Sequence, residues 1–306
     1  MRKTLTNHFL FVVSMATVFL GCGTLSSVIA GPEALPDRSK DKVQMIEAPP
    51  PCDPRWYFSI GGNAEFNFGS GDFVNGESET FDAGGALFDV EIDSADYSDV
   101  YDQPFYSVEA EFGYVLTRHI EVFGQFKYSA SIGTDRTEGS SVFFDIPGIG
   151  TGDIPIHSRF EDFESYGGQL GIRYFFLSKE AKLRPYVSLA AGATYVPSIN
   201  VHTTADTTIL GGPSDFEVFS GRFYDDSWVF TGTALLGLEY SFTCHFALGI
   251  NGGVSYQTEL DDDDSDLEEA IVAGNPFGID ASFVTHLNNG GDRWYAPVSV
   301  YAKFRF

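Results

Sequence analysis

The sequence predicts an all-β chain: an eight-stranded antiparallel transmembrane up-and-down β-barrel with four long outer loops. Three observations predict it. Eight segments beyond residue 55 alternate apolar and polar residues with period two, the signature of a strand with two different faces. No apolar face in the eight carries a charge, whereas a soluble sandwich has shorter strands and charges some outer positions. The links between segments alternate strictly short and long, the pattern of barrels with short turns at one mouth and long loops at the other.

The start of the chain is a separate element. Arg2 and Lys3 precede an apolar stretch, Phe9 to Leu20, of signal-peptide length and short for a transmembrane helix. Val28 and Ala30 stand three and one places before Gly31, which predicts a signal peptide over 1–30. The rival is lipoprotein processing at Cys22 in "FLGC", for which Phe19 is a poor residue. Residues 31–55 hold six prolines and no apolar periodicity, so they read as an extended periplasmic leader that cannot bury a core. The barrel is expected over 56–306.

The first four segments are "WYFSIGGNAEFNF", "FYSVEAEFGYVL", "IEVFGQFKYSAS" and "SYGGQLGIRYFF". In the first, Trp56, Phe58, Ile60, Ala64, Phe66 and Phe68 oppose Tyr57, Ser59, Asn63, Glu65 and Asn67, and the others divide likewise. The second four are "LRPYVSLAAGATYV", "VFTGTALLGLEYSF", "FALGINGGVSY" and the closing "WYAPVSVYAKFRF". Phe, Tyr and Trp gather near segment ends, as aromatic girdles do at a membrane boundary. A bilayer core offers no backbone hydrogen-bond partners, so strands crossing it must close on themselves. The short links are "TRH", "LSKEAK" and the region around "TCH"; the long ones run to roughly 28 to 35 residues. Both termini then fall on the short-turn, periplasmic side.

The signal peptide, the eight strands, the "RPYVSLAAGATY" run and the aromatic C-terminus resemble the small outer-membrane barrels of the OmpA, OmpX and opacity-protein type. The resemblance spans about residues 56 to 306 and is one of architecture. It implies an outer-membrane location in a Gram-negative-type envelope, contact with outer-membrane lipid and lipopolysaccharide, and recognition of Phe304 and Phe306 by the barrel-insertion machinery. Unlike OmpA, the chain is expected to end with its barrel and to lack a peptidoglycan-binding domain.

An eight-stranded barrel is just wide enough for its own side chains, or for one small ligand. The inward charges expected from the alternation are Glu65, Glu109, Glu111, Glu121 and Glu239 against Lys127, Arg173, Arg184, Lys303 and Arg305. Charges in a narrow lumen are expensive unless paired, so a balanced set predicts a salt-bridged plug, with Glu109 opposite Lys127 across the tight link at 117–119. Tyr57, Phe123, Phe175, Tyr295 and Tyr301 add inward bulk. The alternative is a narrow, low-conductance channel for small solutes.

The chain carries 43 acidic and 18 basic side chains, a net charge of −25, which argues against nucleic-acid partners. Residues 69–103 hold ten acidic groups and residues 257–291 nine, with no basic group in either stretch. A solvated, repulsive loop surface is the plain expectation, with a basic surface ligand as an alternative. Loose Ca²⁺ or Mg²⁺ binding at Asp261, Asp262, Asp263, Asp264 and Asp266 is a third. The run departs from an EF-hand, having Asp266 where glycine is needed and Val272 where glutamate is needed. No other cofactor is expected.

A lipid-modifying barrel enzyme would need a histidine beside a serine with a supporting acid. His119, His157, His202, His245 and His286 all fall in turns or loops, with no such arrangement on a strand face, so no enzyme is expected. With Cys22 removed, Cys52 and Cys244 remain, both on the periplasmic side. They are expected to form a disulfide that pins the leader under the lumen, the alternative being two unpaired or intermolecular cysteines.

Overall fold

The structure, a computed structural model, describes residues 53–69, 71–83, 85–136, 140–261, 287–288 and 290–306. In chain order the strands begin with β1 (Trp56–Asn67), β2 (Asp72–Val74), β3 (Glu77–Ala83), β4 (Ala86–Ile92) and β5 (Ala95–Asp96), followed by a single helical turn α1 (Tyr97–Val100). Next come β6 (Phe105–Val115), β7 (Ile120–Ser131), β8 (Asp135–Arg136), β9 (Ser141–Ile146), β10 (Gly150–Phe160), β11 (Phe163–Phe175) and β12 (Leu183–Val196). The last are β13 (Ile199–Ala205), β14 (Phe216–Tyr224), β15 (Ser227–Ser241), β16 (Phe246–Gln257) and β17 (Arg293–Arg305).

Eight of these close into an antiparallel barrel in the order β1-β17-β16-β15-β12-β11-β7-β6 and back to β1. Each strand pairs with its sequence neighbours within the barrel, and β1 meets β17 from Tyr57↔Arg305 to Asn67↔Tyr295. Trp56 and Phe306 complete the seam by exchanging backbone hydrogen bonds of 3.1 and 2.9 Å. The barrel strands are 11 to 15 residues long. At about 3.3 Å per residue and a tilt of about 40°, that length makes a wall roughly 30 Å tall.

Period two decides which side chains line which side. The outer wall is apolar and open, Leu170 being 77% and Leu236 67% exposed. Aromatic side chains ring both ends of it. At the turn end Tyr240, Phe242, Phe246 and Phe304 form a chain of ring contacts at 4.8 to 5.8 Å. At the loop end the ring pairs are Tyr128–Tyr166, Tyr195–Trp228 and Tyr256–Trp294.

Two of the turns share one device. Thr117 Oγ1 accepts from the N–H groups of His119 and Ile120, and Thr243 Oγ1 accepts from those of His245 and Phe246. A threonine hydroxyl in this position replaces a backbone acceptor and fixes a tight hairpin. Each following imidazole reaches the adjacent strand through Nδ1, His119 to the Phe175 carbonyl at 2.9 Å and His245 to the Arg305 carbonyl at 2.8 Å. The two Thr-x-His turns thus hold neighbouring strands as well as their own.

The long links differ from the solvated loops expected of them. The first three build a seven-stranded sheet of their own, ordered β14-β13-β10-β9-β4-β3 with β8 also on β10, and a small pair β2-β5. Asp96 caps α1 through a reciprocal capping box with Asp99, which ends the β2-β5 ribbon and turns the chain toward β6. Apolar residues of four links and the strand ends beside them pack into one cluster with Phe73, Tyr97, Phe160 and Phe223 at its centre. A second, smaller cluster of Phe144, Ile154 and Ala205 underlies the outlying part of the sheet.

Inside the barrel the largest rings sit where a neighbouring strand has no side chain. The Tyr301 ring occupies the place a Cβ on Gly249 would take, as the Tyr57 ring does at Gly113. Gly249→Val should therefore displace Tyr301 and destabilise the barrel by roughly 1–3 kcal/mol. The check is the urea midpoint of the refolded barrel against that of Gly252→Val, where an added Cβ meets only ordinary contacts.

Candidate functional site

The lumen is the first place where chemistry-bearing residues converge. β15 supplies Glu239, which is fully buried and meets Lys303 of β17 at 2.7 Å, Arg184 of β12 at 3.4 Å, and Arg305. Lys303 also reaches Glu121 of β7 at 2.8 Å. Glu121 then meets Arg173 of β11 at 3.4 Å, and Arg173 grips Glu111 of β6 with two parallel bonds of 3.0 and 2.8 Å. The fork-to-fork geometry makes this last pair the most directional of the set. One connected chain of charge therefore spans the turn end from β12 to β6.

Aromatic faces fill the space around these cations. The Arg184 guanidinium lies 3.6 Å from the Phe175 ring centre, and Arg173 lies 4.9 Å from Phe123 and 4.8 Å from Tyr186. Phe175, Tyr186 and Tyr301 form their own buried cluster. Cation–π contact strengthens as water is excluded, so the rings do more here than fill volume.

A second network closes the loop end. Glu65 of β1 is fully buried and accepts from Lys127 Nζ at 3.0 Å, Arg293 Nη2 at 3.2 Å and Ser129 Oγ at 2.8 Å. Lys127 also donates to Tyr295 Oη at 2.9 Å. Arg293, absent from the sequence-derived set, is 1% exposed and stacks 4.1 Å from the Phe105 ring while donating to Asn67 Oδ1 at 2.8 Å. Its signal was present: the inward alternation Tyr295, Pro297, Ser299 extends back to 293. The lumen balance is thus six cations to five carboxylates, not five to five.

The expected partnership of Glu109 and Lys127 needs correction. The two are paired in register, yet the Lys127 ammonium goes up to Glu65, and Glu109 accepts from Gln125 Nε2 at 2.6 Å. Glu65 offers Lys127 a site shared with Arg293 and Ser129, which concentrates negative charge there. Between the two networks lies a cavity of about 20 Å³ bordered by Glu109, Glu111, Gln125, Arg173 and Asn251, room for about one water.

Above the loop end, the aromatic cluster roofs the lumen. Phe105 and Phe163 pack at a tilt, ring centres 5.3 Å apart, over Arg293, and Tyr224 Oη donates to the Phe73 carbonyl at 2.5 Å. Burial pushes the hydroxyls of Tyr97 and Tyr101 well above the usual tyrosine range, so they stay neutral.

Other expected residues fall elsewhere. Asp262, Asp263, Asp264, Asp266 and His286 lie outside the described residues. Asp261 is described, and its carbonyl accepts from the Asp225 N–H at 3.2 Å. Among the described residues no group of three potential metal ligands converges. Cys244 is disulfide-bonded, while Cys52, the partner expected from the sequence, lies outside the described residues. Phe304 and Phe306 lie on the outer wall, Phe306 61% exposed and 6.4 Å from the Phe112 ring. His202 sits 3.9 Å from Glu217 on the outer sheet, away from the lumen charges.

No protein-family model matches the chain, and no curated protein matches it in sequence. Solved structures similar to it include Neisserial surface protein A, 11% identical, with 82% of this chain and 97% of that one covered and a TM-score of 0.36. Ail, the attachment invasion locus protein of Yersinia pestis, is 13% identical over 83% of this chain and 99% of its own, with a TM-score of 0.33. The N-terminal β-barrel domain of Pseudomonas aeruginosa OprF is 16% identical over 81% and 97%, with a TM-score of 0.29. The assignment of an eight-stranded antiparallel barrel rests on the closed strand pairing itself.

Carboxylates within the networks and the carboxylate between them differ in what a substitution costs. Glu239→Gln leaves Arg184, Lys303 and Arg305 around a neutral amide and should cost about 3–5 kcal/mol. Glu109→Gln removes a group bonded mainly to Gln125 and should cost about 1 kcal/mol. In a double-mutant cycle, Glu65→Gln with Lys127→Met should couple by about 0.5–3 kcal/mol, and Glu109→Gln with Lys127→Met by less. Urea unfolding of the refolded variants measures all three; additive effects for Glu65 and Lys127 would contradict the pairing.

Proposed function

We propose that this chain is an integral outer-membrane protein whose plugged barrel holds an ordered acidic β-sheet at the cell surface for interaction with other molecules. The observation that carries the location is the outer wall: uncharged and exposed around all eight strands, between two rings of aromatic side chains. In water an apolar surface of that extent would drive association, whereas a bilayer covers it at no such cost. The first described residues, which lead into Trp56, and Phe306 lie at the same mouth as the short turns; in this reading that mouth faces the periplasm and the long links face outward. Phe304 and Phe306 then lie in the wall next to the seam, where insertion machinery would meet them.

Two features favour a structural and interaction role over conduction. Connected ion pairs occupy the lumen at both ends, and the aromatic cluster roofs it. A path for solutes would have to separate buried charges that cost several kcal/mol each to leave unpaired. The barrel is not read as an enzyme: the imidazoles of His119 and His245 are engaged by backbone carbonyls at the turn end.

Planar-bilayer recording with the refolded full chain tests this reading, alongside membrane fractionation of the expressed protein. Outer-membrane recovery and no steady openings above the lipid background are expected. Regular openings would establish the channel alternative, and recovery in the soluble fraction would refute the location. The cysteines give a second test. With Cys52 bonded to Cys244, intact protein should migrate faster on a denaturing gel without reductant than with it, and Cys52→Ser should abolish the difference. A dimer band lost on reduction, or two alkylatable thiols in oxidised protein, would contradict the intramolecular bridge.

A further inference from the structure

The outer sheet has two unlike faces. On β4 and β9 the side chains of Phe88, Val142, Phe144 and Ile146 turn to the packed side and join the cluster around Ile154. The alternate residues turn the other way and are exposed. Strand register places these in rows. Asp153 of β10, Phe143 of β9 and Asp89 of β4 lie directly opposite one another, with Phe143 in the middle. In the next row Asp145, Leu87 and Asp82 do the same, with Leu87 in the middle. Glu91 adds a fifth carboxylate two residues along β4 from Asp89.

The paired stretches 77–83, 86–92, 141–146 and 150–155 contain no Lys, Arg or His. Phe143 is 47% and Leu87 48% exposed. Each therefore stands as a half-exposed apolar side chain between two carboxylates, about 5 Å away on either side at ordinary strand spacing. Like charges gathered on one sheet face repel. The donors offered to them here are neutral, Thr80 Oγ1 to Asp89 at 3.1 Å and the Gly85 N–H to Asp82 at 2.6 Å, and the four stretches supply no cation. A partner relieves that repulsion by bringing cations to the flanks, and gains burial by covering the apolar centre.

We propose that this face of β3, β4, β9 and β10 is a docking surface for a cationic polypeptide segment presenting an apolar side chain between two Lys or Arg side chains. The charge complement selects the partner class: five carboxylates recruit polycations and repel acidic surfaces and lipid phosphates. The rows select the pattern, because an extended segment puts residues i, i+2 and i+4 on one side in the order basic, apolar, basic. Loose metal binding lacks this apolar requirement, so the two are separable. The inference rests on the proposed outward placement of the long links, but binding by the purified barrel does not depend on where the protein resides.

The experiment is fluorescence anisotropy with the refolded full chain and a labelled peptide repeating Lys-Ser-Phe-Ser-Lys. The matching peptide with Ser for Phe is the comparison. Saturable binding that weakens with salt is expected. The double variant Asp89→Asn with Asp153→Asn should weaken it by about tenfold or more, and Phe143→Ser by about threefold or more. The control double variant Asp215→Asn with Glu217→Gln removes the same charge elsewhere on the outer segments and should change affinity by less than about twofold. Equal weakening by both double variants would reduce the surface to diffuse charge and overturn the proposal, as would undiminished binding of the Phe-free peptide. Fractionation of the same variants reports location separately. Binding without outer-membrane recovery would sink the functional reading alone, and recovery without binding would sink only the docking surface.

Discussion

The structure depends on one constraint, the pairing of every wall strand with a neighbour on both sides. In the bilayer proposed for it, an N–H or C=O of a wall packed with side chains on its inner face has no solvent to turn to, and leaving it unpaired costs several kcal/mol. Closure between β1 and β17 meets that demand, and it is carried to the last residue by the exchange between Trp56 and Phe306. Closure also fixes the number of inward positions. With eight strands the lumen is narrow, so each inward residue must fit against those across from it. The placement of Tyr301 over Gly249 and Tyr57 over Gly113 follows from that narrowness.

Filling such a lumen with charge is costly unless the charges find each other, and here they do so across strands rather than along them. Glu239 on β15 draws cations from β12 and β17, and Glu121 on β7 is reached from β11 and β17. Apolar side chains would stabilise a small barrel at least as well in energetic terms. Ion pairs bring direction instead. Arg173 meets Glu111 well only when β6 and β11 hold their present register, because two parallel bonds tolerate little slip. Register is otherwise weakly specified on strands rich in glycine and alanine, such as β12 and β16.

Much of this was legible because period two survives in a sequence read alone. All eight wall strands, all but one of their inward charges and the gathering of the short turns at one mouth follow from alternation and link length. Arg293 escapes a reading of the last strand that starts from the apolar Trp294, because the inward row begins one residue earlier. The partner of Lys127 escaped for a different reason. Register places Glu109 opposite it, but a lysine side chain is long enough to choose a carboxylate two strands away, and no local pattern encodes that choice. The outer sheet was hidden more deeply. "LFDVEI" and "SVFFDI" alternate as strands do, yet each is only about six residues long and its partner lies some fifty residues off. Only the tertiary arrangement brings β4 against β9.

The joint between the outer sheet and the barrel gives the two halves a shared fate. Arg293 bonds to Glu65 and Asn67 below and lies under the rings of Phe105 and Phe163 above. Those rings belong to the cluster built from apolar residues of β2, α1, β13 and β14. A guanidinium in that position cannot be desolvated unless the roof is in place, and the roof has no polar floor unless Arg293 is paired. The described parts of the long links are consequently held as a folded extension of the lumen rather than as tethers between strands. Phe143 and Leu87 stand between their carboxylates on the exposed face of the outer sheet. A sheet face keeps such a spacing only when its opposite side is packed, and here Phe144 and Ile154 pack it.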